Sequence, residues 1–189
     1  MSSVHKAEEA DHAAHSNKHA ALVIAVLAAA LAICEQQAKH AEVTVTEKAV
    51  LAADAWSQYQ AKSIRAAAAH DLGSVTASLD DAETPERAAL RAHVLKQLAD
   101  DEVHYNKDPK TGKEAIAELA HSYEEQRSVA MEKSHSLDNA AAALDLGIVL
   151  ATASVITSAG PLLVFAYAMG ILGIVLGVSA IVAPGLLAF

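Results

Sequence analysis

Residues 146–189 read LGIVLATASVITSAGPLLVFAYAMGILGIVLGVSAIVAPGLLAF, and none of them is charged. About 20 helical residues cover a hydrocarbon core of ~30 Å, so this run is long enough for two crossings of a bilayer. Gly160-Pro161 divides it, a helix-stopping glycine followed by a proline suited to the first turn of the next helix. The expectation is two helices, over roughly 138–159 and 161–183, with Pro184-Gly185 ending the second. The turn SAGP between them is too short for anything but an antiparallel hairpin.

A second uncharged run, AALVIAVLAAALAIC, occupies residues 20–34. Its fifteen residues span only about 22 Å as a helix. The side chains of Ser16–His19 and Glu35–Gln37 can reach an interface and bring it to roughly full span. A signal peptide is disfavoured, because Glu8, Glu9 and Asp11 outweigh Lys6 and Lys18 in the preceding tail.

The stretch between these runs holds most of the charge: residues 35–137 carry 12 of the 14 lysines and arginines. Its apolar positions step by three and four, as in Val45, Ala49, Ala52, Trp56, Tyr59, Ser63 and Ala66, then Leu72, Val75 and Leu79. Thr84-Pro85-Glu86 reads as a helix cap, a first-turn proline and an acidic first turn. Leu90, Val94, Leu98 and Tyr105 share the next face, and Asn106–Lys110 breaks it. Thr111-Gly-Lys-Glu114 has the form of a capping box. Ile116, Leu119, Tyr123, Ala130, Leu137 and Leu144 then form a stripe running into the first helix of the C-terminal hairpin. Only Glu42–Thr46 hints at a strand.

The expected fold is therefore all-α: an integral membrane protein with one N-terminal and two C-terminal transmembrane helices and a long, coiled-coil-like extramembrane hairpin between them. The divisions are a polar histidine-rich tail (1–19), transmembrane helix 1 (20–37), a helical stalk (38–137) and a transmembrane hairpin (138–189). A two-helix stalk buries little apolar surface, which makes a homo-oligomer the natural expectation.

Composition narrows the partners. The chain has 189 residues, a formal charge of −9 and one cysteine, Cys34. The acidic balance argues against nucleic acid, which needs clustered Lys and Arg. One cysteine excludes an internal disulfide framework. Lys39, Lys48, Arg127 and Lys133 flank the apolar runs on the side of the central region, so the positive-inside tendency places residues 38–137 in the cytoplasm. The partners expected are the lipid bilayer, further copies of the chain, or another membrane protein.

The segment Ala53-Asp-Ala-Trp56-Ser-Gln-Tyr59-Gln-Ala-Lys62-Ser-Ile resembles the signature of a bacterial family named domain of unknown function 4337. The wider layout is similar too: an acidic, histidine-containing start, an early apolar helix, a charged helical middle and a terminal apolar hairpin. The resemblance implies a bacterial membrane protein with three membrane helices, and the location expected for it is the bacterial inner (cytoplasmic) membrane. It implies no activity and brings no catalytic residue.

Several residue groups could carry function. His12, His15 and His19 lie three and four apart, a spacing that offers imidazoles to a divalent metal from one helix face; a solvated tail with idle histidines is the plainer reading. Ala21, Ala25 and Ala29, and Gly170 with Gly173 and Gly177, repeat small residues at spacings that let lipid-embedded helices approach closely. They would serve either an oligomer interface or the chain's own hairpin. Trp56 and Tyr59 read as packing anchors of the stalk. Asp145 stands where the second membrane helix enters the bilayer and is a candidate intramembrane polar site. Asp100, Asp101, Glu102 and His104 read as a solvated face, as do His121, Glu124 and Glu125. No activated nucleophile, phosphate loop or catalytic carboxylate pair is present, and no cofactor is implied beyond that divalent metal. The expected function is non-enzymatic: a homo-oligomeric scaffold, anchor or accessory subunit. The alternative is a channel or transporter subunit, pH- or metal-responsive through its N-terminal histidines.

Overall fold

A computed structural model describes residues 3–78, 84–157 and 159–182, with side chains from residue 18 onward. Four helices follow in order: α1 (Ser3–Ser78), α2 (Pro85–Lys107), α3 (Lys113–Thr157) and α4 (Gly160–Val182). No strand occurs among the described residues. Glu42–Thr46 is helical, and the β-branched Thr44 returns its hydroxyl to the His40 carbonyl at 3.0 Å.

The arrangement differs from the expected one of short membrane helices framing a two-helix stalk. α1 is one helix of 76 residues that runs through the apolar segment and on into the charged region. Nothing inside it stops propagation, since the four prolines lie elsewhere and Gly73 is its one glycine. The return path is two helices, divided at the expected break after Tyr105. α2 ends at Lys107, and α3 continues from the charged region into the apolar one without a break. Thr84 caps α2 by accepting from the Arg87 N–H at 3.4 Å, with Pro85 following, as its sequence context predicts. Thr111 does not cap α3. Its hydroxyl and N–H both go to Asp108 Oδ1, at 3.0 and 2.6 Å, so the aspartate organises the turn in place of the expected capping box.

Contacts group the chain into two units, Met1–Val45 with Ser128–Phe189, and Thr46–Arg127. In the first, α4 packs antiparallel to α3 and parallel to α1. Leu27 meets Gly147 and Gly170, while farther along Cys34 meets Gly177 and Leu144 meets Gly173. Val23, Leu27, Cys34, Ala140 and Leu144 form the core of this unit, and Ala38, Leu137 and Ala180 form a second layer. Its outer surface is largely apolar, with Leu22, Val26, Phe165, Ile171, Val175 and Val178 all exposed. α1, α3 and α4 are each long and apolar enough to cross a membrane.

The second unit joins the later part of α1, all of α2 and the start of α3. Along α1 its inward positions repeat by seven: Ala52, Tyr59, Ala66 and Gly73 on one line, Lys48, Ala55, Lys62, Ala69 and Thr76 on another. Leu72 and Val75, expected on this seam, are exposed. Leu90 of α2 also faces out. The three-and-four stripe read through the larger aliphatics at this end of α1 is one residue out of phase with the buried line, which follows the smaller Ala69, Gly73 and Thr76.

Candidate functional site: the Trp56 clasp

Ala55 of α1 and Ile116 and Ala120 of α3 make a small apolar core in the second unit, against which Trp56 and Tyr59 pack. Alanines at these positions let two helices come close enough for the large rings to close over the contact. Tyr59 meets Trp56 edge-on, with centroids 5.5 Å apart and planes at 80°. His121 meets Trp56 from α3 in the same manner, at 5.1 Å and 86°. Such edge-to-face contacts add to plain burial because the positive rim of one ring meets the negative face of another.

Polar atoms complete the clasp. The Trp56 indole Nε1 donates to Glu124 Oε1 at 2.9 Å, across 68 residues of sequence. His121 Nδ1 lies 3.2 Å from the other carboxylate oxygen. An ionised carboxylate only accepts, so the histidine places its proton on Nδ1. Trp56 first, and then His121, hold the Glu124 carboxyl below the usual carboxylate range. A carboxylate so held stays charged near neutrality and is poorly suited to proton transfer there. The clasp is built to join helices.

Further contacts tie α1 to its neighbours. Lys48 Nζ stands 5.5 Å from the Tyr123 ring centroid, and Lys62 Nζ 5.4 Å from that of Tyr105. His70 Nδ1 approaches Glu102 at 3.4 Å. In the α2–α3 turn, the Lys110 and Thr111 N–H groups and the Thr111 hydroxyl hold the Asp108 carboxyl below its ordinary range.

Both carboxyls are lowered on folding. The stability they contribute is therefore full above the ordinary carboxylate range, about pH 4, and drains away as pH falls through the folded values. The helical arm is expected to melt at progressively lower temperature from pH 5 to pH 2, followed by circular dichroism. Asp108→Asn and Glu124→Gln should each flatten that dependence; profiles identical to that of the parent protein would contradict the assignment.

Of the other residues singled out in the sequence, His12 and His15 lie outside the described side chains, and His19 is exposed on α1. No group of three metal-binding side chains occurs among the described residues. Asp145 is exposed on α3. Gly170, Gly173 and Gly177 are buried against Leu27, Leu144 and Cys34 of the same chain, whereas Ala21, Ala25 and Ala29 are exposed. The partners of Trp56 were not visible in the sequence. His121 and Glu124 carry a local i, i+3 signal that suits a solvated face equally well, and nothing local points to a tryptophan 68 residues away.

A family model described as Domain of unknown function (DUF4337) matches residues 16–183. No curated protein and no solved structure matches the chain.

Proposed function

Since the chain belongs to the family described as Domain of unknown function (DUF4337), a description that assigns no activity, we propose a function from its own residues: a non-enzymatic protein of the bacterial inner membrane that assembles into a homo-oligomeric scaffold or anchor. Residues 46–127 form its cytoplasmic arm, a side supported by the positive-inside tendency of Lys39, Lys48, Arg127 and Lys133. The arm joins copies to one another, or to another membrane protein, through coiled-coil packing.

The observation that carries this reading is how the apolar unit treats its polar groups. Thr152, Thr157 and Ser179 return their hydroxyls to carbonyls of their own helices, each at 2.8 Å. Ser154 donates to the Ala159 carbonyl at 3.1 Å. Hydroxyls bonded to their own helices need no polar path beside them, and the outer faces are largely aliphatic and aromatic, with Asp145, Thr152 and Thr157 exposed among them. That is the chemistry of an anchor. In water, an apolar surface of this extent would aggregate.

Native mass spectrometry of the protein extracted from its own membrane tests the assembly. A homo-oligomer of defined number is expected, and a strictly monomeric mass would overturn it. Reconstituted into liposomes, the protein should pass no ion current above that of empty vesicles; a specific current would replace the scaffold with the channel reading.

A further inference from the structure

In the arm, the side of α1 turned away from its buried seam has a pattern of its own. Val50, Ser57 and Ile64 stand seven residues apart on the outward line, Val50 63% exposed and Ile64 70% exposed. Ala53 and Ala67 flank that line on one side and Ala61 on the other, all exposed. Between Asp54 and Asp71 this outer strip carries no charge. The outer face of a helix packed on one side ordinarily gathers the charged residues. Lipid is a poor candidate to cover it: Val50 and Ile64 follow Cys34, the last residue of the apolar run, by sixteen and thirty residues, and the charged Glu35, Lys39, Glu42, Glu47 and Lys48 intervene.

We propose that this strip is where a second copy of the chain docks, α1 against α1 in parallel, with Ile64 opposite Ile64 and Val50 opposite Val50. This rests on the reading that the protein is anchored in a membrane and assembles there. A repeat of seven residues selects a helix as occupant, because only a supercoiled helix of the same period stays in contact along it. Copies anchored through the same helix carry the strip the same number of residues from the span, so a twofold pairing brings like positions together. From Ser57 to Ala67 the strip holds no charge to oppose such pairing. Asp54, seven residues before Ala61, borders it at one end, and Asp71, the next position on the seven-residue line, closes it at the other. The flanking alanines allow close approach.

The area sets the strength of the contact. From Val50 to Ala67 the strip is about 27 Å long and roughly 10 Å wide, on the order of 270 Å² of face per copy. A free-standing interface uses about 800 Å² per partner. The contact is therefore weak in free solution and depends on the raised local concentration of copies held in one bilayer.

Single cysteines placed on α1 of the full-length chain test this, in a Cys34→Ala background and in native membrane. Ser57→Cys and Ile64→Cys should form disulfide-linked dimers on mild oxidation at least tenfold more readily than Gln58→Cys and Arg65→Cys, which are exposed one residue away. Equal yields at all four positions would overturn the pairing. So would failure at all four while the native mass remains oligomeric, which would move the interface elsewhere and leave the scaffold reading intact. A monomeric native mass would remove both. Ile64→Lys, at a site too exposed to affect folding, should weaken dimerisation in nanodiscs about tenfold or more; an unchanged dimer fraction, or a co-purifying polypeptide that shields Ile64→Cys from maleimide, would count against a second copy.

Discussion

Gly173→Leu is expected to destabilise the three-helix apolar unit by about 3 kcal/mol or more, the upper range for forcing volume into a packed core. A Cβ at Gly173 would stand 2.7 Å from Leu144 Cγ and 3.0 Å from the Ala140 carbonyl oxygen. Neither can withdraw. Leu144 is completely buried between neighbours, and the carbonyl belongs to the hydrogen-bonded backbone of α3. Gly160 gives the control, since a Cβ there meets nothing within 4 Å and Gly160→Ala should be close to neutral. Thermal melts in mild detergent, followed by circular dichroism, would separate the two. Equal melting temperatures for both variants would refute the packing. Gly177 offers a sharper check, because its added Cβ would meet Cys34 Sγ at 2.8 Å and little else. Gly177→Ala should destabilise alone and be largely relieved by Cys34→Ala, a coupling that only neighbouring residues show.

This glycine row shows where sequence reasoning stops. Small residues at four-residue spacing announce close helix approach, but the same spacing serves a neighbour in the same chain or in another one. Nothing at Gly173 itself favours Leu144 over a second protomer. What could be read locally is mostly present: the uncharged runs, the helix starts at Thr84-Pro85 and Gly160-Pro161, and the break at Asn106–Lys110. The continuity of α1 and of α3 across the change from apolar to charged composition is less legible. Composition reports the solvent around a helix, whereas continuity needs only the absence of a breaker. The capping box at Thr111 failed for a competitive reason, because Asp108 takes the same side chain and the neighbouring N–H groups. The outward strip at Val50 and Ile64 was hidden by the stronger inward period on the same helix.

The second large effect belongs to Trp56. Trp56→Ala should cost the arm about 3 kcal/mol, the low end for losing a tryptophan, since this ring is half-buried rather than fully enclosed. The loss combines packing on Ala55, Ile116 and Ala120, two edge-on ring contacts and the bond to Glu124. Trp56→Phe divides these contributions. It keeps much of the apolar contact but removes the N–H, leaving Glu124 with His121 as its remaining hydrogen-bond donor. The phenylalanine variant should therefore lose less stability than the alanine variant. It should also release the Glu124 carboxyl toward its ordinary range, because the indole is the largest influence holding it down. NMR titration of the Glu124 side chain would detect that rise directly, alongside urea unfolding of the full-length protein in nanodiscs. If the carboxyl titrated identically with tryptophan or phenylalanine at position 56, the clasp would be a contact of hydrocarbon surfaces alone. A rise in the carboxyl's pKa together with a modest loss of stability would make Glu124 the polar half of the joint between α1 and α3.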